Sequence, residues 1–196
     1  MSTVLLTAFE PYGDWPTNAS CLALVAMSAT IPSSLQVTTR ALPVDFDAVK
    51  KQLAEELIAD YDYVLHLGQA PGSARLQLEA IGLNIACDPD AGIDRRLCDD
   101  GPLAYRSTLP LYDWAATIRA AGVPAEISFH AGTYLCNAAL YITHYYIERM
   151  GLKSQAAFIH LPLDPTQVVD EKEGIPSLSA SISAKAIRTL LESIGG

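Results

Sequence analysis

Three short apolar runs constrain the fold of this chain more than any other feature of its sequence. They are Thr3–Phe9, Asp62–Leu67 and Ala156–His160, and most of their residues are apolar. Runs of this length and character are typical of strands that are covered on both faces, as in parallel sheets. Segments of helical character separate them along the chain. This alternation predicts an α/β fold with a mostly parallel central sheet and helices on both faces.

Local signals predict the remaining elements. Strands are expected at Leu35–Leu42, Leu76–Ala86 and Ala125–Phe129, from β-branched content and partial alternation of apolar residues. The stretch from Asp88 to Ser107 is polar and contains glycine and proline, so we expect an excursion from the sheet there. Helices are expected at 19–30, after the N-cap residue Asp45, at 110–121, at 136–150 and from Ser177 or Ser179 to 193.

Composition limits the class of protein. The 196 residues, half of them hydrophobic, fit a single domain (residues 1–196) with a sizeable core. The net charge of −9 argues against a nucleic-acid partner, because phosphate binding needs clustered basic residues. No apolar run has the length needed to cross a bilayer, and the first residues lack the basic region of a signal peptide. We therefore expect no membrane partner and a cytoplasmic location.

The cysteines and histidines give little support for a metal site. The four cysteines form no Cys-x-x-Cys pair, and the four histidines are scattered along the chain. In a reducing compartment the cysteines are expected to be thiols. Cys21 is expected in the core, whereas Cys87 and Cys98 lie in the polar excursion and are expected to be exposed.

The stretch SFHAGTYLCNAALYITHYY, residues 128–146, holds the strongest candidate for chemistry. It has the pattern of a strand end, a turn around Gly132 and a helix that opens near Cys136. The positive end of a helix dipole favours a thiolate over a thiol, and the thiolate is the nucleophilic form. Position alone does not make Cys136 catalytic, because most free cysteines are small buried hydrophobes.

Two further residues can complete a catalytic set. His160 ends a predicted strand, and a histidine beside a cysteine can generate the thiolate and later protonate a leaving amine. Glu79 lies in an otherwise apolar run, where a carboxylate is either at a solvent-facing edge or buried with a partner. The buried arrangement suits a group that orients an imidazole. Because Phe9, Gln69, Cys136 and His160 each follow a predicted strand, one edge of the sheet can bring them together.

Five stretches of the chain, spread nearly from end to end, resemble one family of known proteins. They are VLLTAFEPYGDWPTNAS, LGQAPGSARLQLEAIGLNIA, AGTYLCNAALY, AAFIHLP and PSLS. The chain resembles the pyroglutamyl peptidases of type I, also called pyrrolidone-carboxylate peptidases, which are cysteine peptidases. The third and fourth stretches are similar to the nucleophile and histidine motifs of that family, and they occur in the same order.

The resemblance implies an activity, a fold and a set of site residues. The activity implied is removal of an N-terminal pyroglutamate (5-oxoproline) from small peptides through a thioester, without a cofactor. The fold implied is a three-layer α/β/α sandwich, phosphorylase/hydrolase-like, and relatives often form dimers or tetramers. The catalytic positions implied are Glu79, Cys136 and His160. The substrate-binding positions implied are Phe9, Tyr12, Gln69, Tyr134 and Leu135, while His130 is left as a bystander near the pocket.

Several positions depart from the family pattern. Ala8 and Tyr12 replace a usual glycine and phenylalanine, Asp14 replaces the second glycine of a usual pair, and a usual arginine is replaced near residues 87–89. These changes leave the three catalytic positions intact and bear on ring selectivity and rate. Two alternatives stay open: a cysteine amidohydrolase of the same fold that accepts another N-terminal group, and a non-catalytic binding module. A purine-phosphorylase-like enzyme would need phosphate-binding arginines or glycine-rich loops, and the sequence has no convincing set.

Overall fold

The computed structural model describes residues 1–171 and 174–195 of the chain. Its strands are β1 (Ser2–Phe9), β2 (Leu35–Leu42), β3 (Tyr63–Gln69), β4 (Leu76–Glu79), β5 (Ile81–Leu83), β6 (Ala86–Asp88), β7 (Ile93–Arg95), β8 (Ala104–Arg106), β9 (Ala125–Ser128) and β10 (Gln155–Leu161). Its α-helices are α1 (Ala19–Met27), α2 (Phe46–Glu56), α3 (Leu111–Ala120), α4 (Leu135–Met150), α5 (Pro165–Val168) and α6 (Ala180–Gly195).

The main sheet has six strands in the order β2-β1-β3-β10-β4-β9. Strands β2, β1, β3 and β10 run parallel, which confirms the prediction of a mostly parallel sheet. At one side of the sheet, β4 is antiparallel to β10 and β9 is parallel to β4. The link from Gln69 to Leu76 is shorter than the crossover of about a dozen residues that parallel strands require, so β4 reverses direction.

Helices cover both faces of the sheet and give three layers. On one face, α1, α3 and α6 pack against strand residues such as Leu6 and Leu67. On the other face, α2 and α4 pack against residues such as Leu5 and Phe158. Successive residues of a strand point to opposite faces, so Leu5 and Leu6 belong to different cores. The predicted three-layer α/β/α sandwich is confirmed.

The predicted helices form close to their expected positions. Asp45 caps α2, and its Oδ1 accepts a hydrogen bond from the N–H of Ala48 at 2.8 Å. Gly151 ends α4 in the left-handed conformation, with φ +65°, which glycine adopts without steric cost. None of the helices in residues 1–171 and 174–195 has both the length and the apolar character of a membrane span.

The region after β4 differs from its prediction. The single strand expected at Leu76–Ala86 divides into three, because β5 pairs with β8 and β6 pairs with β7 outside the main sheet. The side chain of Asn84 organises the excursion: its Oδ1 accepts from the N–H groups of Leu97 and Cys98. Its Nδ2 donates to the carbonyl of Cys98 at 2.7 Å. The expectation of an exposed Cys98 is therefore wrong, because these bonds draw Leu97 and Cys98 into the core beneath α4.

Candidate active site

Three parallel strands end at the edge of the sheet where the candidate site lies. Phe9 and Gln69 are the last residues of β1 and β3, and His160 is the last but one of β10. The carboxyl ends of parallel strands meet at one edge, which is where open α/β sheets place ligands. All three side chains are buried.

Cys136 reaches the same place by a route that differs from the prediction. Because β9 runs opposite to β10, its last residue, Ser128, is level with Phe158 rather than with the end of β10. Residues 129–134 carry the chain back to the site, and Cys136 is the second residue of α4. Its Sγ lies over Gly68: a Cβ added to Gly68 would be 3.0 Å from that sulfur. The missing side chain at Gly68 leaves the space that the Cys136 thiol occupies.

The start of α4 gives Cys136 an electropositive setting. The first helical hydrogen bond runs from the N–H of Ala138 to the carbonyl of Tyr134, at 3.0 Å. The N–H groups of residues 135–137 therefore precede the hydrogen-bonded part of the helix. These N–H groups and the helix dipole of a 16-residue helix favour negative charge at this end. The predicted helix start near Cys136 is confirmed.

His160 and Glu79 form a buried pair beside the thiol. The Nδ1 of His160 lies 2.7 Å from Oε1 of Glu79, and the two residues are 8% and 1% exposed. Burial by itself lowers the pKa of the His160 imidazole, but the Cys136 thiolate and the Glu79 carboxylate outweigh it and raise this pKa to about 10. When the Nδ1–H of His160 donates to Glu79, the other ring nitrogen, Nε2, is left to interact with the sulfur of Cys136. Of the two arrangements considered for Glu79, the buried one with a partner is found.

A small pocket adjoins the thiol, and we call it the Cys136 pocket. All five side chains predicted to contact substrate line it, together with two that were not predicted. Its lining comprises Phe9, Tyr12, Asn18, Val44, Gln69, Tyr134, Leu135 and Cys136. Its free volume is about 10 Å³, room for about one water molecule. A five-membered ring can enter only if a wall moves outward, and Tyr12, Val44 and Tyr134 are half-buried walls of the pocket.

The hydrogen bonds of the Gln69 amide decide how this residue can contact a substrate. Its Oε1 accepts from the N–H of Ala19 at 3.1 Å and from Nε2 of Gln167 at 3.0 Å. Its Nε2 is buried and has no hydrogen-bond partner among residues 1–171 and 174–195. The side chain is therefore held by its oxygen and offers a donor, not an acceptor, to the Cys136 pocket.

Several residues that shape the site were not identified from the sequence. Val44 lies just beyond the end of β2, the same position in the sheet that singled out Phe9 and Gln69, so the strand pattern could have found it. Asn18 caps α1 and its Nδ2 donates to the carbonyl of Glu10 at 3.1 Å. Nothing in the sequence marks Gln167, whose contact with Gln69 joins residues 98 positions apart.

Other titratable residues stand apart from the site. His130 is exposed, and its Nδ1 accepts a hydrogen bond from the N–H of Gly132 at 3.0 Å. In the described part of the chain, no group of three or more His, Cys, Asp or Glu side chains has the arrangement of a metal site. The titratable groups that meet at this edge are the Cys136 thiol, the His160 imidazole and the Glu79 carboxylate.

Comparisons with known proteins agree with this geometry. A family model described as pyroglutamyl peptidase matches residues 2–195. The pyrrolidone-carboxylate peptidase of Streptomyces coelicolor is 38% identical, over 97% of this chain and 91% of that protein. The corresponding protein of Staphylococcus haemolyticus is 36% identical, over 97% of this chain and 92% of its own length.

Solved structures lead to the same family. The crystal structure of pyrrolidone carboxyl peptidase from Fervidobacterium islandicum has a TM-score of 0.93 and 31% identity, covering 99% of this chain and 98% of that one. The pyrrolidone carboxyl peptidase of Thermococcus litoralis has a TM-score of 0.89 and 34% identity, covering 98% of this chain and 92% of its own. Both the sequence and the fold match over nearly the full length, so the chain belongs to the pyroglutamyl peptidase family of cysteine peptidases.

Proposed function

We propose that Cys136 is the nucleophile, His160 the general acid and base, and Glu79 the group that orients His160. The observation that carries this proposal is the buried contact of Glu79 with His160 beside the Cys136 thiol. The three residues come from β4, α4 and β10, and packing alone gives no reason to bury a carboxylate and an imidazole together next to a thiol. The arrangement also argues against a non-catalytic binding module.

The proposed reaction divides amide cleavage into two steps. The Cys136 thiolate attacks the carbonyl carbon of the pyroglutamyl residue, and the imidazolium of His160 gives its proton to the leaving amine as the C–N bond breaks. A thioester with Cys136 remains. Neutral His160 then removes a proton from water, which attacks the thioester and releases pyroglutamate and the thiolate. Glu79 holds the imidazole in one orientation and stabilises its charged form in both steps.

Two donors are placed to stabilise the oxyanion or the lactam. The N–H of Cys136 is at the open end of α4, where it is available to a developing negative charge. Gln69 lines the same pocket, and its Nε2 has no hydrogen-bond partner among the described residues, so it can donate to a substrate. In a pocket closed to water, each such donor contributes about a hundredfold or more to the rate.

The walls of the Cys136 pocket suit a pyroglutamyl ring. The ring is neutral and carries no ammonium group, so it needs apolar contacts and few polar partners. Phe9, Val44 and Leu135 supply apolar surface, and the rings of Tyr12 and Tyr134 are tilted by 50° to each other with centroids 6.3 Å apart. A free N-terminal ammonium would lose its hydration here without gaining a carboxylate.

The substrate class is a small peptide that begins with pyroglutamate. We propose that the protein works without a nucleic-acid or membrane partner, in the cytoplasm, which is consistent with its net charge of −9. Assembly into a dimer or tetramer remains a prediction from the family resemblance.

A panel of amide reporters with different N-terminal groups tests the proposal. The protein should release amine from the pyroglutamyl reporter and at least about a hundredfold more slowly from acetyl-alanyl, prolyl and alanyl reporters, since these lack the lactam or carry a charge. Equal rates with the acetylated reporter would favour an amidohydrolase of broader selectivity. No release from any reporter would contradict catalysis by this site.

A further inference from the structure

A second, wider cavity continues outward from the Cys136 pocket. This outer cavity has a volume of about 560 Å³. It is lined by Tyr12, Gly13, Val44, Cys87, Asp88, Pro89, Asp90, Thr133 and Tyr134. Three of these residues, Tyr12, Val44 and Tyr134, also line the Cys136 pocket, so the two spaces share a wall.

The size of the two spaces decides where a peptide can lie. The Cys136 pocket admits a single ring only when a wall moves outward, so the residues after pyroglutamate must lie outside it. The outer cavity has room for a full side chain and begins at the same two tyrosines. A different cavity, of about 410 Å³ and lined by residues that include Arg75 and Glu126, shares no wall residue with the Cys136 pocket. Of these two larger cavities, the outer cavity is the one that adjoins the Cys136 pocket.

The walls of the outer cavity combine aromatic rings with negative charge. Asp88 and Asp90 are part of its lining, which contains no Lys or Arg among the described residues. The hydroxyl of Tyr134 experiences this negative charge. Burial is the largest cause that raises the pKa of this hydroxyl, and the charges of Asp88 and Asp45 raise the pKa further. Asp88 and Asp45 belong to different elements, β6 and the N-cap of α2, and so act on Tyr134 from two sides.

The hydrogen bonds of Asp88 leave its charge available. Among residues 1–171 and 174–195, its carboxylate accepts a single, long hydrogen bond, of 3.3 Å from the N–H of Ala91 to Oδ1, within the turn between β6 and β7. The ion pair of the same hairpin joins Arg95 to Asp47, away from the cavity lining. A cationic side chain in the outer cavity would thus meet carboxylates that no arginine or lysine of this lining neutralises.

We propose that the outer cavity binds the residue that follows pyroglutamate and selects a cationic side chain there, lysine or arginine. The inference rests on the proposed function and adds a second specificity determinant to it. The long apolar stem of such a side chain packs along Tyr12 and Tyr134, while its charged end approaches Asp88 and Asp90. An acidic side chain at the same position is repelled by both carboxylates.

Competing substrates measure the selectivity. The wild-type protein is given pyroglutamyl peptides with lysine, norleucine or glutamate after the pyroglutamate, and kcat/KM is determined for each at low salt. We expect lysine to exceed norleucine by about five- to tenfold, as for partly exposed charge pairs, and glutamate to be the poorest. The preference should shrink at high ionic strength, because salt screens partly exposed charges.

Matched variants assign the preference to the cavity. Asp88→Asn combined with Asp90→Asn keeps the size of both side chains and should bring lysine to within about twofold of norleucine. Asp94→Asn removes the same charge from an exposed position of the same hairpin that does not line the cavity, and it should retain the lysine preference. Thermal unfolding of each variant establishes that the fold is kept.

The outcomes separate this inference from the proposed function. Failure to cleave any of the three peptides contradicts the proposed function itself. Cleavage with equal kcat/KM for lysine and norleucine overturns only the inference. A lysine preference that survives in the double variant also overturns it, and if Glu126→Gln then abolishes that preference, the peptide leaves through the cavity beside Arg75.

Discussion

In the proposed mechanism His160 holds a proton in one step and releases it in the next, so its environment should set the pH range of the reaction. Its pKa is raised to about 10 by the Cys136 thiolate and Glu79, against the effect of burial. The imidazolium therefore persists through neutral and mildly alkaline pH. We expect the alkaline limb of the kcat/KM profile to lie well above pH 6.5, the ordinary pKa of histidine.

Replacing Glu79 should shift the alkaline limb of the kcat/KM profile. Glu79 raises the pKa of His160, so Glu79→Gln should lower it and shift the alkaline limb of kcat/KM to lower pH. The maximal rate should also fall by about a hundredfold or more, because the imidazole loses its orienting partner. Glu55→Gln, on the exposed face of α2, is the matched control and should leave the profile unchanged. An unshifted limb in Glu79→Gln would mean that Glu79 does not tune His160.

Gly68 tests how closely the thiol is positioned. A Cβ there would lie 2.6 Å from Cζ of Phe158 and 3.0 Å from Sγ of Cys136, so one of them must move. We expect Gly68→Ala to lower kcat by about a hundredfold, since small displacements of a reacting group have effects of this size. Gly174→Ala is the control, since a Cβ there meets none of the described residues within 4 Å. Wild-type kcat in Gly68→Ala would contradict the placement of the sulfur.

At the scale of elements, a buried histidine joins α4, the helix that carries Cys136, to the sheet. His66 of β3 is fully buried, with Nδ1 2.7 Å from Oγ1 of Thr7 in β1 and Nε2 2.8 Å from Oγ1 of Thr143 in α4. Thr143 is two helical turns beyond Cys136. Burial, and to a smaller degree His144, lowers the pKa of His66 to about 3. The ring is therefore neutral in the folded protein and links three elements.

The depressed pKa of His66 makes folding sensitive to acid. The unfolded histidine takes up a proton below about pH 6.5, whereas the folded one does not until about pH 3, so stability is lost as pH falls through this window. His66 should account for about 2 kcal/mol of the stability lost between pH 6.5 and pH 5. In His66→Gln, urea unfolding should show a correspondingly weaker pH dependence. His130→Gln, at an exposed site, should not, and an unchanged slope in His66→Gln would contradict this account.

The elements also show what the sequence can and cannot predict. Apolar runs such as Thr3–Phe9 predict buried strands, because burial on both faces requires apolar residues throughout. The reversal of β4 and β9 depends on the short link after Gln69, whose length can be read from the sequence, and on which strands become neighbours, which local patterning does not show. The division of 76–86 into three strands likewise depends on distant partners near residues 93–106.

The site likewise has residues whose role can be predicted from the sequence and contacts that cannot. Cys136, His160 and Glu79 were identified because their chemistry is unusual in apolar surroundings and because the motifs resemble a known family. The commitment of the Gln69 oxygen to Ala19 and Gln167 could not be foreseen, since it is a matter of side-chain geometry between distant parts of the chain.

At the scale of the whole molecule, the layer formed by α1, α3 and α6 is needed to bury one face of the sheet. Leu190 of α6 is fully buried in the core with α1 and α3, so Leu190→Ala should lower the free energy of unfolding by about 2–5 kcal/mol. Glu192→Ala, on the exposed side of α6, loses only a surface ion pair with Arg188 and should cost less than about 1 kcal/mol. Chemical denaturation measures both, and equal effects would contradict the packing described for this face.

The proposed mechanism depends on the thiol of Cys136 acting as the nucleophile. The most direct test is kcat/KM for amine release from a pyroglutamyl amide reporter, measured for the wild-type protein, Cys136→Ala and the control Cys21→Ala, whose thiol lies in α1. We predict that Cys136→Ala loses at least about a thousandfold of the activity while Cys21→Ala keeps it. Activity that survives in a folded Cys136→Ala protein would contradict the central claim.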